Sequence, residues 1–479
     1  MIKKKYNTSI ELTAVLEKQK NAQRTEGVPS AKLRSDRLSR AINVLLNNKT
    51  DLQDAMIADF GHRSRDLTSL ADIAYSIKAL RNARKHLTAW MRPSRRHLDF
   101  PLGLIGASGK VQYQPKGVVG LISPWNFPIN LTFAPLAGIL AAGNRAMIKP
   151  SEFTPATSEL LAKLICQSYN LEELHVITGE ADVAATFASL PFDHLIFTGS
   201  TAVGKHVMRA ASKNLVPVTL ELGGKSPVIV GDSANISKTA TAIIYGKTFN
   251  AGQICVCPDY VLLKEEHSIA FIKAAQAAVG KMFPSGLKDN DDYTSVLGRR
   301  HFDRMQSYIM DARSKGAEIV ELNPTNEDFS QQLNNKFPPT LIMGVSDDML
   351  VMQEEIFGPL LAVRYTSDLG DAVDYVNSHP RPLALYFFGN SAKEENFVID
   401  NTISGGVTVN DTIMHVGQEN LPLGGIGPSG MGHYSGKDGF LEFSHGKAVY
   451  RQTSFDLLKF IRPPYTKLFR KYVNFNLRN

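Results

Sequence analysis

The chain holds three cysteines in 479 residues. Two of them, Cys255 and Cys257, sit in Phe249-Asn250-Ala251-Gly252-Gln253-Ile254-Cys255-Val256-Cys257-Pro258. A thiolate here could attack an electrophilic carbon, although a lone cysteine is more often a small core residue. In an extended segment the two thiols would point the same way. They are too close in sequence for an ordinary structural bridge. Three cysteines are too few for a four-thiolate metal site, and no spaced His pair completes one, so no metal is expected. A Cys–His hydrolase is a possible chemistry, but no histidine lies in a recognisable matching motif.

Other candidates gain weight from their setting. Glu221 lies in Leu220-Glu221-Leu222-Gly223-Gly224-Lys225-Ser226-Pro227. A carboxylate at the end of an apolar run is costly to bury without purpose, yet it could be a satisfied structural acid. Asn126 lies in Pro124-Trp125-Asn126-Phe127-Pro128, where it could equally be a turn former. Gly199-Ser200-Thr201-Ala202-Val203-Gly204-Lys205 follows one apolar run and opens a helical one. It resembles a phosphate loop, but His206 stands where magnesium needs Ser or Thr. A nucleotide hydrolase is therefore disfavoured, while an anion site at a helix N-terminus survives. Gly425-x-Gly427-x-x-Gly430 matches a dinucleotide fingerprint only as a bare pattern. It contains Pro428 and opens no clear helix, so it reads as a flexible glycine-rich loop.

The elements that must position these residues follow from periodicity. Residues 10–90 read as helical, with Leu33, Leu38, Ile42, Leu45 and Leu46 near helical spacing. Residues 98–114 read as two extended arms around a Gly-containing turn. From 117 onward short apolar runs (118–123, 146–149, 175–178, 194–198, 216–221) alternate with helical stretches (131–142, 156–169, 181–190, 203–212). That alternation indicates βαβ units and a doubly wound parallel sheet. Residues 224–420 repeat it less regularly and read as a second α/β domain. Asn126, Lys149 before Pro150-Ser151-Glu152, Gly199 and Glu221 all follow or end predicted strands, at the edge where open α/β sheets bind ligands.

Together Pro124–Pro128, Gly199–Gly204, Leu220–Gly224, Gly252-Gln253-Ile254-Cys255 and Glu354-Glu355-Ile356-Phe357-Gly358-Pro359 resemble the aldehyde dehydrogenase superfamily over residues 10 to 450. Pro258-Asp259-Tyr260, Gly430-Met431-Gly432-His433-Tyr434 and Phe443-Ser444-His445 resemble its class 3 branch. Bacterial coniferyl aldehyde dehydrogenases are the most similar members, with fatty aldehyde dehydrogenases as near relatives. The resemblance implies NAD(P)-dependent oxidation of an aromatic or medium-to-long aliphatic aldehyde to the acid. Cys255 would be the nucleophile, Asn126 an oxyanion donor and Glu221 the base that activates water. It implies a cofactor site of Trp125, Lys149, Glu152, Gly199, Ser200, Gly204, Glu355 and Phe357. Lys149 and Glu355 resemble a ribose-binding pair. The acid at Glu152 favours NAD over NADP. Cys257 would be a pocket-lining thiol. The implied organisation is an NAD-binding domain over 1–97 and 115–223, a catalytic domain over 224–424, and oligomerisation arms at 98–114 and 446–455 that make a homodimer.

Composition bounds the rest. Hydrophobic residues make up 43% and charged residues 21%, ordinary for a soluble globular chain of about two to four domains. Residues 1–50 hold 11 Lys/Arg against 4 Asp/Glu, and residues 450–479 hold 7 against 1, leaving 35 against 41 between them. The basic balance belongs to the ends, which argues against a body-wide nucleic-acid surface. The most apolar stretch, 131–143, is shorter than the roughly 20 residues a bilayer needs, and no signal core follows the N-terminal lysines, so a cytoplasmic protein is expected. In the basic tail, 456–479, Tyr465, Leu468, Phe469 and Tyr472 fall on one helical face. That face suits a partner subunit or the substrate entrance, with weak contact to an anionic membrane as the alternative. A non-enzymatic protein reusing this fold would be expected to lack Cys255 or Glu221.

Overall fold

A computed structural model describes residues 9–100, 102–453, 456, 459 and 462–478. The basic N-terminus and parts of the second arm and the tail lie outside the described residues. Helices Ser9–Glu26, Ala31–Asn47, Lys49–Phe60 and Tyr75–Trp90 open the chain. Leu38, Ile42 and Leu45 are buried while Leu46, one step round, is exposed. Thr68–Ala74 is a π-helical turn running into Tyr75–Trp90, a type of irregularity frequent at functional sites.

Two short strands follow, β1 (Ser94–Arg96) and β2 (Ser108–Pro115). The expectation of two extended arms over 98–114 is corrected here. Leu102–Ile105 is a 3-10 turn, and β2 pairs with the earlier β1, Ser94 opposite Val111 and Arg96 opposite Gly109. The side chain of Leu98 fills the space a Cβ at Gly109 would take, 2.7 Å away. It folds across β2 instead of extending beside it.

Then come β3 (Val118–Ile122), β4 (Arg145–Lys149), β5 (Leu174–Val176), β6 (His194–Gly199) and β7 (Val218–Leu222), separated by helices Asn130–Ala142, Pro155–Ser168, Ala181–Ala188 and Thr201–Ser212. All five strands are parallel. β3 and β4 are buried at every residue, which is why they read as continuous apolar runs instead of alternating. The second sheet contains β8 (Ser226–Val230), β9 (Pro258–Leu263), β10 (Glu318–Glu321), β11 (Thr340–Met343), β12 (Leu360–Tyr365), β13 (Ala384–Phe388) and β14 (Gly406–Val409), in the order β10-β11-β12-β9-β8-β13-β14. β15 (Gly430–Met431) returns to the first sheet, whose order becomes β15-β7-β6-β3-β4-β5, and β16 (Ser444–Arg451) pairs with β2.

Two consequences position the site. Strand order reverses between β3 and β6, so their carboxyl ends form the crevice where doubly wound sheets take ligands. The link from β7 to β8 is only residues 223–225, which brings the carboxyl edge of the first sheet against the amino edge of the second. The Gly425–Gly430 segment is corrected from a flexible loop to a sheet edge. Ser429 O accepts from Leu222 N at 3.0 Å, and Gly430 pairs with Glu221. A Cβ at Gly430 would lie 2.1 Å from Leu220 O.

Helix Thr201–Ser212 packs closely on β7 through Gly204, where a Cβ would come 2.6 Å from Leu222 Cδ2. Gly204→Val should therefore destabilise the protein by about 1–3 kcal/mol through overpacking, seen as a lower denaturant midpoint. An unchanged midpoint would show that the helix has room to move away.

Candidate active site

Asn126 lies in the turn after β3 and is buried. Its Nδ2 donates to Gln253 O at 3.1 Å. Asn250 Nδ2 donates to both Asn126 O and Gln253 O, each at 3.2 Å. The turn and the cysteine segment are thus hydrogen-bonded to one another across the two sheets. The segment is strained: Asn250, Ala251 and Gly252 have φ of 52°, 51° and 71°. Left-handed backbone at the two non-glycines costs about 1–3 kcal/mol each. Gly252 admits no substitute, since a Cβ there would sit 2.2 Å from Gly358 O. Gln253 fixes the segment by donating to Asn250 O and Ser295 O at 2.9 and 3.0 Å and accepting from Leu297 N at 2.8 Å.

Cys255 comes out of this segment in a turn, not a strand, so the two thiols diverge. Cys255 faces a cavity. Cys257 is buried in the second-sheet core with Sγ 3.6 Å from Gly246 O. The expectation of a pocket-lining Cys257 is thereby corrected, because the turn, unlike an extended segment, sends the two thiols different ways.

Glu221 lies one residue before the end of β7, 2% exposed, and neither carboxylate oxygen has a hydrogen-bond partner in the structure. Burial alone pushes its carboxyl up to about 8. The Cys255 thiol is also pushed up, first by burial and then by the Glu221 and Glu355 carboxylates. Both line the same cavity. Its walls are mostly apolar and aromatic, with Leu70 and Tyr75 at the π turn, Phe127, Leu131, Tyr245, Phe249, Ile413 and Tyr434. Phe127, Phe249 and Tyr434 lie in motifs quoted above but had no role assigned, and the others come from segments far apart in sequence with no local motif, so the sequence did not show them as one wall. Gln253 was quoted in a motif, but its bracing role was not legible there.

The cofactor candidates gather along the carboxyl edge of the first sheet. Gly199 ends β6, and a Cβ there would lie 2.5 Å from the Phe197 ring. Ser200 caps the next helix by accepting from Val203 N at 3.4 Å, and this helix N-terminus is open to solvent. Lys149 Nζ donates to Pro150 O at 2.7 Å and lies 3.4 Å from Glu152 Oε2. Glu355 belongs to the other domain. Burial and Asp259 raise its carboxyl to about 8, against a backbone hydrogen bond from Gly224. Gly224 follows β7, so Glu355 and Lys149 lie three strand spacings apart, roughly 14 Å. They are not a contacting pair. Phe357, with φ of 47°, and Trp125 meet edge to face at 5.3 Å between ring centroids. The Glu355 loop is anchored by the ion pair of Lys225 with Asp259, whose other oxygen accepts from Ile356 N at 2.8 Å.

Comparison with known proteins agrees with this arrangement. Residues 3–449 match the model of the aldehyde dehydrogenase family. A probable coniferyl aldehyde dehydrogenase of Caulobacter vibrioides is 57% identical over 463 residues, 96% of this chain and 95% of that one. A coniferyl aldehyde dehydrogenase of a Pseudomonas species is 53% identical over 443 residues, 92% and 91% of the two chains. Among solved structures, the substrate-bound state of Staphylococcus aureus AldH superimposes with a TM-score of 0.91 at 35% identity, covering 98% of this chain and 99% of that one.

The unpartnered Glu221 gives a stability signature. Its folded-state pKa lies above the ordinary carboxylate value. The unfolded chain therefore loses this proton first as pH rises, and the native state is penalised progressively between about pH 4.5 and 8. Glu221→Gln should remove that penalty. Its stability gain over wild type should grow across this window to a few kcal/mol and then level off. Denaturant melts at pH 5, 7 and 9 measure it, and a pH-independent difference would contradict the burial argument.

Proposed function

This chain belongs to the aldehyde dehydrogenase family, and on that premise we propose that Cys255, Glu221 and Asn126 oxidise aromatic aldehydes of the coniferyl type, with NAD as hydride acceptor. The observation that carries the reading is the cavity in which the Cys255 thiol and the unpartnered Glu221 carboxyl meet, beside a segment hydrogen-bonded to Asn126.

The Cys255 sulfur attacks the aldehyde carbon and forms a thiohemiacetal. The Asn126 amide and the Cys255 backbone N–H take up the negative charge that develops on oxygen. Each such donor is worth roughly 3–4 kcal/mol of barrier, and a neutral amide cannot lose its proton by titration. When bound, a nicotinamide dinucleotide supplies the hydride acceptor. Cys255 is then left as a thioester. Glu221, in its ionised form, takes a proton from the water that hydrolyses it.

The residues fit such a cofactor. The open helix N-terminus at Ser200 suits a pyrophosphate, and Gly204 lets that helix close on β7. Lys149 and Glu355 are spaced to hold separate riboses, and Trp125 and Phe357 form one aromatic corner. Glu152 beside Lys149 would repel a 2′-phosphate, which favours NAD over NADP. The aromatic cavity wall and the coniferyl aldehyde dehydrogenase relatives support the substrate class.

The long β2–β16 pairing leaves β16 as an unpaired sheet edge, which supports a homodimer built on these arms. Helix Lys467–Asn476 has no buried residue, and Leu468, Tyr472 and Phe475 are exposed. Tyr465 precedes the helix, which Thr466 caps. We read this tail as a subunit-packing element. Binding to anionic liposomes at low salt would instead favour a membrane role. Among the described residues no helix is long and apolar enough to cross a membrane. A cytoplasmic location fits the three free cysteines.

Cys255→Ala should abolish NADH formation. Glu221→Gln should give a burst of NADH close to one per site and then little steady turnover, because acylation outlives hydrolysis. Full steady turnover by either variant would refute the assigned roles. A screen of coniferyl aldehyde, benzaldehyde and decanal should rank them in that order by kcat/KM, and a clear preference for decanal would move the substrate class to aliphatic aldehydes.

A further inference from the structure

Arg63 and Asp72 are both completely buried. Arg63 follows helix Lys49–Phe60, and Asp72 lies within the π turn. Arg63 Nη2 meets Asp72 Oδ2 at 2.6 Å. Such a pair is a weak source of stability, because well-packed apolar residues of similar size often do as well or better. Its partners say more. Arg63 Nη1 donates to the backbone carbonyl of Asn126 at 2.7 Å. Asp72 Oδ1 accepts from Asn130 N at 3.2 Å. Helix Asn130–Ala142 has no side-chain cap of its own, so Asp72 caps it from another element.

The two charges therefore grip one turn at both ends, the cation at the carbonyl of residue 126 and the anion at the amide of residue 130. The guanidinium is also stacked against Phe60 and Phe127, 4.7 and 4.9 Å from their ring centroids. The carbonyl held by Arg63 is the one that also accepts from Asn250 of the cysteine segment. The clamp, the turn and the cysteine segment are thus one hydrogen-bonded unit.

We propose that Arg63 and Asp72 are positioning residues for the oxyanion, holding the Asn126 turn so that its amide points at the carbonyl oxygen developing on the Cys255 adduct. Neither residue touches substrate. Their effect passes through Asn126, so the proposal rests on the role given to that residue above. Correct aim matters because a donor helps only when placed within hydrogen-bond reach of the developing charge.

The test is a double-mutant cycle read by single-turnover NADH formation at saturating aldehyde and NAD. Asp72→Asn should slow this step tenfold or more, with NAD affinity and KM within about twofold of wild type. In an Asn126→Ala background the same change should cost less than twofold, because there is no amide left to aim. Equal losses in both backgrounds would make the pair merely structural and overturn the proposal. If Asn126→Ala does not itself slow the step, the oxyanion assignment fails first. If Asn126→Ala slows it and Asp72→Asn does not, only the clamp fails. Should Asp72→Asn not fold, the double variant Arg63→Met/Asp72→Leu removes both charges together and is expected to fold. Wild-type single-turnover rates in that variant would equally overturn the proposal.

Discussion

Two acids share one poorly solvated cavity in this protein, and burial disfavours the charged form of each. Burial raises the Cys255 thiol and the Glu221 carboxyl alike, and the Glu221 and Glu355 carboxylates raise the thiol further. The resting site therefore favours the neutral form of both groups. In the proposed reaction the two anions are needed at different times. The sulfur needs its charge only on meeting the aldehyde carbon, and that charge then passes to an oxygen facing Asn126. Once acylated, the sulfur can no longer ionise, so Glu221 can take its charge without a thiolate beside it. The charge conflict thus separates attack from hydrolysis without any moving part. It also accounts for a carboxyl with both oxygens unpartnered. A fixed donor would lower its pKa and bring back the repulsion at the wrong moment.

Everything else serves to keep that space small and its members aimed. The three-residue link from β7 to β8 sets the two sheets edge to edge. Glu221 arrives at the end of one sheet, and Cys255 precedes β9 at the start of the other. Three consecutive left-handed residues then turn the chain under Gly358 before it reaches the thiol. Such strain persists only where the surroundings over-determine it. Here Gln253 supplies the determination, with hydrogen bonds to Asn250, Ser295 and Leu297.

Much of this was legible in the sequence, for identifiable reasons. Strands buried on both faces read as unbroken apolar runs, so all five strands from β3 to β7 were visible. A polar residue or glycine that ends or follows such a run stands out, which exposed Asn126, Lys149, Gly199 and Glu221. Features depending on distant segments were not legible. The divergence of Cys255 and Cys257 depends on a turn stabilised from residues 295 and 297. The course of residues 98–105 depends on Leu98 meeting Gly109. Arg63 and Asp72 read as ordinary charges on helical segments, and only the fold shows them gripping the turn around Asn126. The cavity wall, which governs which aldehyde fits, is drawn from segments as far apart as Leu70 and Tyr434.

The same edge-to-edge meeting sets the aromatic cavity apart from the cofactor candidates. The aromatic cavity reaches Cys255 from the side of the π turn, Tyr245 and Phe249, and its lining includes neither Trp125, Phe357 nor Lys149. Those three lie along the carboxyl edge of the first sheet and the Glu355 loop, which Lys225 and Asp259 hold in place. On the proposed reading the aldehyde would enter by the aromatic cavity, and the dinucleotide would lie along the sheet edge outside it. Glu221 lines the aldehyde side. In the proposed reaction the base therefore stands in the cavity that holds the acyl chain, which stays bonded to Cys255 until water releases it.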